Sequence, residues 1–248
     1  MLSITSCMDE RDIAQEVVME RMVHKGSFVL LEGKTDVKRF RPYLCADECS
    51  IVSCHSVRKA TGVLKRLIGR NVAGVLAVID ADFSRVQGIT LENANTVVSK
   101  NHDLDLDWIS TSCLARYLNE VGHDAKIAAL GGCDAILRDV HETLQPVSTA
   151  RLLNAKRVFT FRTSGIDVGR FYKHGKDITG DYIDALVAAG YVDASRRDWI
   201  ELKINSEMKT PKDEWQMTNG HDFCAAIGSM LRRDIGSRKA QQLSLIHI

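Results

Sequence analysis

Glu32, Asp80 and Asp82 stand at the ends of short apolar runs. Phe28-Val29-Leu30-Leu31 leads into Glu32, and Val75-Leu76-Ala77-Val78-Ile79 leads into Asp80, with Asp82 two residues further on. Uninterrupted, branched runs of this length suit strands buried on both faces of a parallel sheet, and open parallel sheets place their chemistry at the carboxyl ends of the strands. Carboxylates gathered there repel one another unless a cation lies between them, and a hard divalent ion such as Mg²⁺, or Mn²⁺ in its place, takes oxygen ligands of this kind. The residue types therefore imply metal-assisted chemistry on phosphate groups. Asp80 and Asp82 read as metal ligands, while Glu32, 48 residues before Asp80, reaches them only through the tertiary fold. Lys34 follows Gly33, whose lack of a side chain lets backbone approach a phosphate, and its ammonium suits a scissile group.

The elements around these residues alternate. Asp9 to His24 reads as a surface helix, with Ile13, Val17, Val18 and Val23 between charges. After the first strand, Val37, Phe40 and Leu44 mark an amphipathic helix that Pro42 kinks or ends. Ile51 to Ser53 is a second strand, and Ser56 caps a helix carrying Val57, Ala60, Leu64, Leu67 and Ile68 that Gly69 stops. Thr96-Val97-Val98 reads as a fourth strand. The acidic run His102-Asp103-Leu104-Asp105-Leu106-Asp107 then precedes a helix. Connections too long for hairpins imply an α/β fold, a parallel sheet with helices on both faces.

Beyond Gly122 the pattern turns helical: Cys133 to Leu144, Thr149 to Val158, Asp181 to Ala189, and a last helix after Asn219-Gly220-His221-Asp222. Trp199 to Ile204 alternates like a strand. The expected layout is an N-terminal helical segment (1–24), a sheet domain (25–122), a mostly helical lobe (123–242) and a non-native tail (243–248). Between Arg151 and Lys176, seven basic residues face Asp167 as the lone acid. Arg157, Arg162 and Lys173 in this segment are candidates for contact with a nucleic-acid backbone; an ordinary solvated face or an acidic partner fits equally.

Glu32-Gly33-Lys34-Thr35-Asp36, then Ile79-Asp80-Ala81-Asp82-Phe83, then His102-Asp103-Leu104-Asp105, in that order, resemble the TOPRIM domain. More narrowly the chain resembles the TOPRIM-like nuclease subunits of PARIS-type anti-phage systems, relatives of the OLD nucleases. Asn-Gly-His-Asp at 219 to 222 is similar to a pattern late in that family. The resemblance implies a TOPRIM-like sheet, a Mg²⁺-dependent nuclease acting on DNA or RNA, and an ATPase partner protein. It implies Glu32 as general acid/base or ligand to a second metal, and Asp103 and Asp105 as auxiliary ligands. Asp105 stands where the family has glutamate, one methylene longer, and Ala81 where a larger residue is common.

Each motif also has a plain alternative. Glu-Gly-Lys is a common surface turn, Asp-x-Asp a frequent cap, Asp103 to Asp107 suit the cap of the following helix, and His221 suits a structural hydrogen bond. A phosphatase of the haloacid dehalogenase type also uses Asp-x-Asp after an apolar strand, but normally on the first strand of its domain. A non-catalytic module that holds an ATPase is the alternative from another class.

Composition frames these readings. A chain of 248 residues, 45% hydrophobic and 26% charged, suits one mixed domain or a domain with an appendage. A net charge of +1 leaves any polyanion surface to a local patch. No apolar stretch approaches the roughly 20 residues of a membrane span and no leader pattern opens the chain, so a cytoplasmic location without membrane contact is expected. Self-assembly stays open. The seven cysteines, an odd number without a C-x-x-C pair, read as reduced and mostly buried thiols; Cys45, Cys49, Cys54 and His55 fit no standard zinc spacing.

Overall fold

The apolar runs form a single parallel sheet in the computed structural model, which describes residues 8–91 and 93–237. Its strands are β1 (Ser27–Leu31), β2 (Cys49–Ser53), β3 (Val75–Ile79) and β4 (Thr96–Val98), in the order β2-β1-β3-β4. Phe28 pairs with Val75 and Leu31 with Val78, and the same face of β1 and β3 presents Phe28, Leu30, Ala77 and Ile79 to one core. The α/β class with helices flanking a parallel sheet, followed by a helical C-terminal region, is the architecture read from the sequence.

The described residues cluster into two compact units, one within Met1–Ala81 and Thr90–Lys100, the other within Asp82–Ile89 and Asn101–Ile248. In the sheet unit, α1 (Glu10–Glu20) starts at Asp9, whose carboxylate accepts from the N–H groups of Arg11 and Asp12. Its Ile13, Ala14 and Val17 pack with Ala60, Val63, Leu64 and Leu67 of α3 (Val57–Gly69), so the N-terminal helix belongs to the sheet core and not to a segment of its own. Ser56 Oγ accepts from Lys59 N at 3.2 Å and caps α3 as its position implies. Between β1 and β2, α2 (Lys34–Phe40) passes into a 3₁₀ turn at Arg41–Tyr43, where Pro42 ends the α-helix. Val37, Phe40 and Leu44 are only half-buried, so its amphipathic stripe is weakly used.

The second unit holds α4 (Leu104–Trp108), α5 (Leu114–Val121), α6 (Asp124–Ala129), α7 (Cys133–Ala155), α8 (Thr179–Ala188), α9 (Arg197–Met208), α10 (Glu214–Met217) and α11 (Gly220–Met230). The acidic run and the helix after it bury Leu106, Leu114 and Leu118 in this unit's core, which moves them out of the sheet domain expected at 25–122. Two helices expected at 133–144 and 149–158 are one. Pro146 sits buried inside α7, and Leu144, Val147, Ala150 and Leu153 continue one core stripe across it. The strand expected at Trp199–Ile204 is part of α9: Ile200 and Ile204, four apart, are fully buried, while Leu202 between them is 66% exposed.

Of the six described cysteines only Cys54 is buried; Cys45 and Cys113 are exposed and the other three half-buried, which corrects the expectation of mostly buried thiols. Cys7 and the tail read at 243–248 lie outside the described residues. Among the described residues no helix is long and apolar enough to cross a membrane.

Candidate functional site

The sheet brings Glu32 and Asp80 together. β1 and β3 are parallel neighbours in register, so the residues that follow them emerge at the same carboxyl edge. Glu32 Oε1 accepts a hydrogen bond from the Asp80 N–H at 2.5 Å. The strand order places this pair where the chain leaves β1 towards β2 on one side and β3 towards β4 on the other. Such a switch point opens the crevice in which open α/β sheets bind ligands.

Neighbouring residues fix both strand ends. Asp36 Oδ2 accepts from Gly33 N at 3.0 Å, so Asp36 closes the turn between Glu32 and α2, and Lys34 lies exposed in the first turn of that helix. After Asp80, the Ala81 N–H donates to Ser99 Oγ at 2.8 Å. Ala81 is fully buried, which explains a small residue between the two aspartates.

Asp82 opens the second unit in a left-handed conformation, φ +46°, with its N–H donating to His102 O at 2.7 Å. Its Oδ1 lies 3.9 Å from His102 Nε2. His102 is itself anchored, its N–H to Trp215 O and its ring edge-on to Phe83. The acidic run serves the helices of this unit. Asp103 is buried and caps α4 through Oδ1, which accepts from Leu106 N at 2.9 Å, while Oδ2 accepts from Gly220 N at 2.6 Å. Burial raises the Asp103 pKa against the opposing pull of those two N–H groups. Asp105 Oδ2 lies 3.0 Å from His221 Nδ1, and Asp107 Oδ1 accepts from Asn101 N at 2.7 Å.

Among the described residues no three His, Cys, Asp or Glu side chains group as a metal-holding cluster, and Cys45, Cys49, Cys54 and His55 form none. Burial pushes the Cys54 thiol up to about 12, which keeps it a protonated and unreactive thiol at neutral pH. Mg²⁺ asks less of a protein: one or two carboxylates suffice, with water and substrate phosphate completing the shell. Glu32 and Asp80, both oxygen donors, fit that requirement.

No family model, curated protein or solved structure matches the chain.

The basic segment is partly neutralised by contacts the sequence did not disclose. Arg151 makes a two-pronged ion pair with Asp222, at 2.7 and 2.9 Å, and Lys156 binds Glu207 at 2.8 Å. Arg162 hydrogen-bonds Ser164 and lies over the Tyr191 ring, Arg170 pairs with Asp167, and Lys173 lies 3.7 Å from Asp181. Arg157, Arg162 and Lys173 remain exposed or half-exposed on this unit. The Asp105–His221 pair was missed as a pair, although both residues were visible singly. Its members lie 116 positions apart, and the late Asn-Gly-His-Asp run was its only signal.

Proposed function

We propose that the chain is a Mg²⁺-dependent nuclease of the TOPRIM type that hydrolyses phosphodiester bonds in DNA or RNA. The observation that carries this reading is the Glu32–Asp80 contact at the switch point between two parallel strands. In this reading Glu32 and Asp80 would hold the ion from the sheet unit, and Asp82, two residues along the chain, would be the further carboxylate of the motif. A bound divalent ion would stabilise charge on the phosphate and lower the pKa of an attacking water. Glu32 would either keep its ligand role or take the proton of that water, and Lys34, exposed two residues from Glu32, would offset negative charge on the substrate. Asp105 is held to His221 and Asp103 to two backbone N–H groups, so both carboxylates of the auxiliary pair drawn from the resemblance already serve the helical unit.

The saturation of Asp103 favours a second reading, a module that keeps the fold to hold an ATPase. The pairing with such a partner and a role as effector of an anti-phage system rest on the resemblance. Purified chain, with and without the candidate ATPase, should cut plasmid, single-stranded DNA or total RNA in Mg²⁺ or Mn²⁺ and lose activity with a chelator. Glu32→Gln and Asp80→Ala should abolish cutting. Failure to cut any of these substrates with partner and metal present would leave the binding module as the reading.

A further inference from the structure

A small cavity of about 100 Å³ lies against α7 in the helical unit. Its floor includes His141 and Ser148, two turns apart on the helix and 3% and 1% exposed. His141 Nδ1 lies 2.8 Å from Thr218 Oγ1, but His141 Nε2 and Ser148 Oγ are buried without a hydrogen-bond partner. Buried polar atoms are nearly always satisfied, and each orphan costs about 1–3 kcal/mol, so two beside one cavity call for an occupant. The volume is several times the roughly 10–15 Å³ that one water requires.

The chemistry of the lining narrows the occupant. His141 is clamped edge-on by Trp215 at 4.7 Å and tilted against Phe223 at 5.2 Å, so its ring orientation is fixed. Burial holds its pKa down at about 4, and the floor is uncharged at neutral pH. Lys212 is tied to Glu207 at 3.1 Å, and the exposed Glu142 and Glu214 also line the cavity, an unfavourable surrounding for a phosphate or carboxylate. Met208 and Met217 supply polarisable thioether faces, which pack well on flat rings.

We propose that this cavity binds a neutral planar hydrogen-bonding ring, a purine or pyrimidine base carried as a nucleoside, with its polar edge on Ser148 Oγ and His141 Nε2 and its face against Met208 and Met217. The inference uses neither Glu32 nor Asp80 and stands apart from the nuclease reading.

Isothermal titration of the full chain with adenosine, guanosine, cytidine and uridine, and with ribose as control, tests it. At least one nucleoside should bind saturably, one per chain, and ribose should not. Ser148→Ala removes a buried orphan hydroxyl, so the free protein should keep or raise its melting temperature while nucleoside binding weakens about tenfold. In the ¹⁵N-histidine spectrum, the nucleoside should shift the His141 ring nitrogens of the wild type. The proposal is overturned if no nucleoside binds at millimolar concentration, if ribose binds as tightly, or if Ser148→Ala binds equally well with the His141 ring unmoved.

Discussion

Glu32 Oε1 and the backbone N–H of Asp80 lie 2.5 Å apart, so a side chain from the tip of one parallel strand holds the main chain at the tip of its neighbour. The contact gives Glu32 a positional role in addition to any chemical one. The variants of this residue can separate the two.

Glu32→Ala removes an acceptor to a charge-assisted hydrogen bond and should lower unfolding free energy by about 1.5–3 kcal/mol, whereas Glu32→Gln keeps a neutral acceptor and should cost less than about 1 kcal/mol. Both should eliminate Mg²⁺-dependent cleavage. Urea denaturation alongside a plasmid-cutting assay reads the two effects. Full activity in a stable Glu32→Gln protein would reduce Glu32 to a strand tie.

Asp82 carries a different constraint, since its φ of +46° is unfavourable for residues with a Cβ other than Asn and Asp. Asp82→Ala should therefore lose about 1–2 kcal/mol of stability, while Asp82→Asn should lose little. If Asp82 is the further carboxylate of the motif, both variants stop cleavage. Activity surviving in Asp82→Asn would leave the conformation, not the charge, as the reason for an aspartate there.

The sheet and the Glu32–Asp80 edge were legible because strand runs and the acids that end them are local in the chain. What Asp103 does was not. Its second partner, the Gly220 N–H, comes from 117 residues away, and nothing near Asp103 announces it. The same limit hid Asp222 behind Arg151, which local composition counted as free positive charge. Trp199 to Ile204 misled in another way: its alternation has period two, but the burial of Ile200 and Ile204 follows the helical period of four. The helices expected at 133–144 and 149–158 are one, because the apolar stripe on either side of Pro146 carries α7 through.

Asp103 now has a testable structural duty. Asp103→Ala should cost about 2–4 kcal/mol, combining the lost cap of α4 with a Gly220 N–H left buried and unpaired. Thermal unfolding measures it. A near-neutral substitution that still blocks cleavage would restore Asp103 as an auxiliary metal ligand.

Buried His141 should make the protein acid-sensitive. Its folded pKa of about 4 lies below the ordinary value of 6.5, because burial disfavours the imidazolium. A depressed folded value means that the neutral ring's contribution is present above 6.5 and is lost as pH falls from there through about 4. The gap corresponds to about 3 kcal/mol. Denaturation series at pH 7, 5.5 and 4 should show this fall in wild type and a shallower one in His141→Gln. An equal slope in both proteins would assign the acid sensitivity to other groups.

The basic segment offers the last test, because the structure sorts its residues into a half-buried one with a buried partner and exposed ones. Arg151 is locked to Asp222, and Arg151→Met should destabilise the fold by about 3–5 kcal/mol by leaving a buried carboxylate unpaired. Arg157, Arg162 and Lys173 are accessible, with only surface-strength partners, so changing all three to glutamine should leave stability within about 1 kcal/mol. If these three grip a nucleic-acid backbone, their loss releases fewer counterions on binding. The slope of log affinity against log salt should then shrink by about 2 to 3, at about 0.9 for each phosphate on duplex DNA or 0.7 on a single strand. Metal binding should persist, since Glu32 and Asp80 belong to the sheet unit. An unaltered slope in the triple variant would make the segment a solvated or partner-facing surface and move the search for the polyanion path elsewhere on the chain.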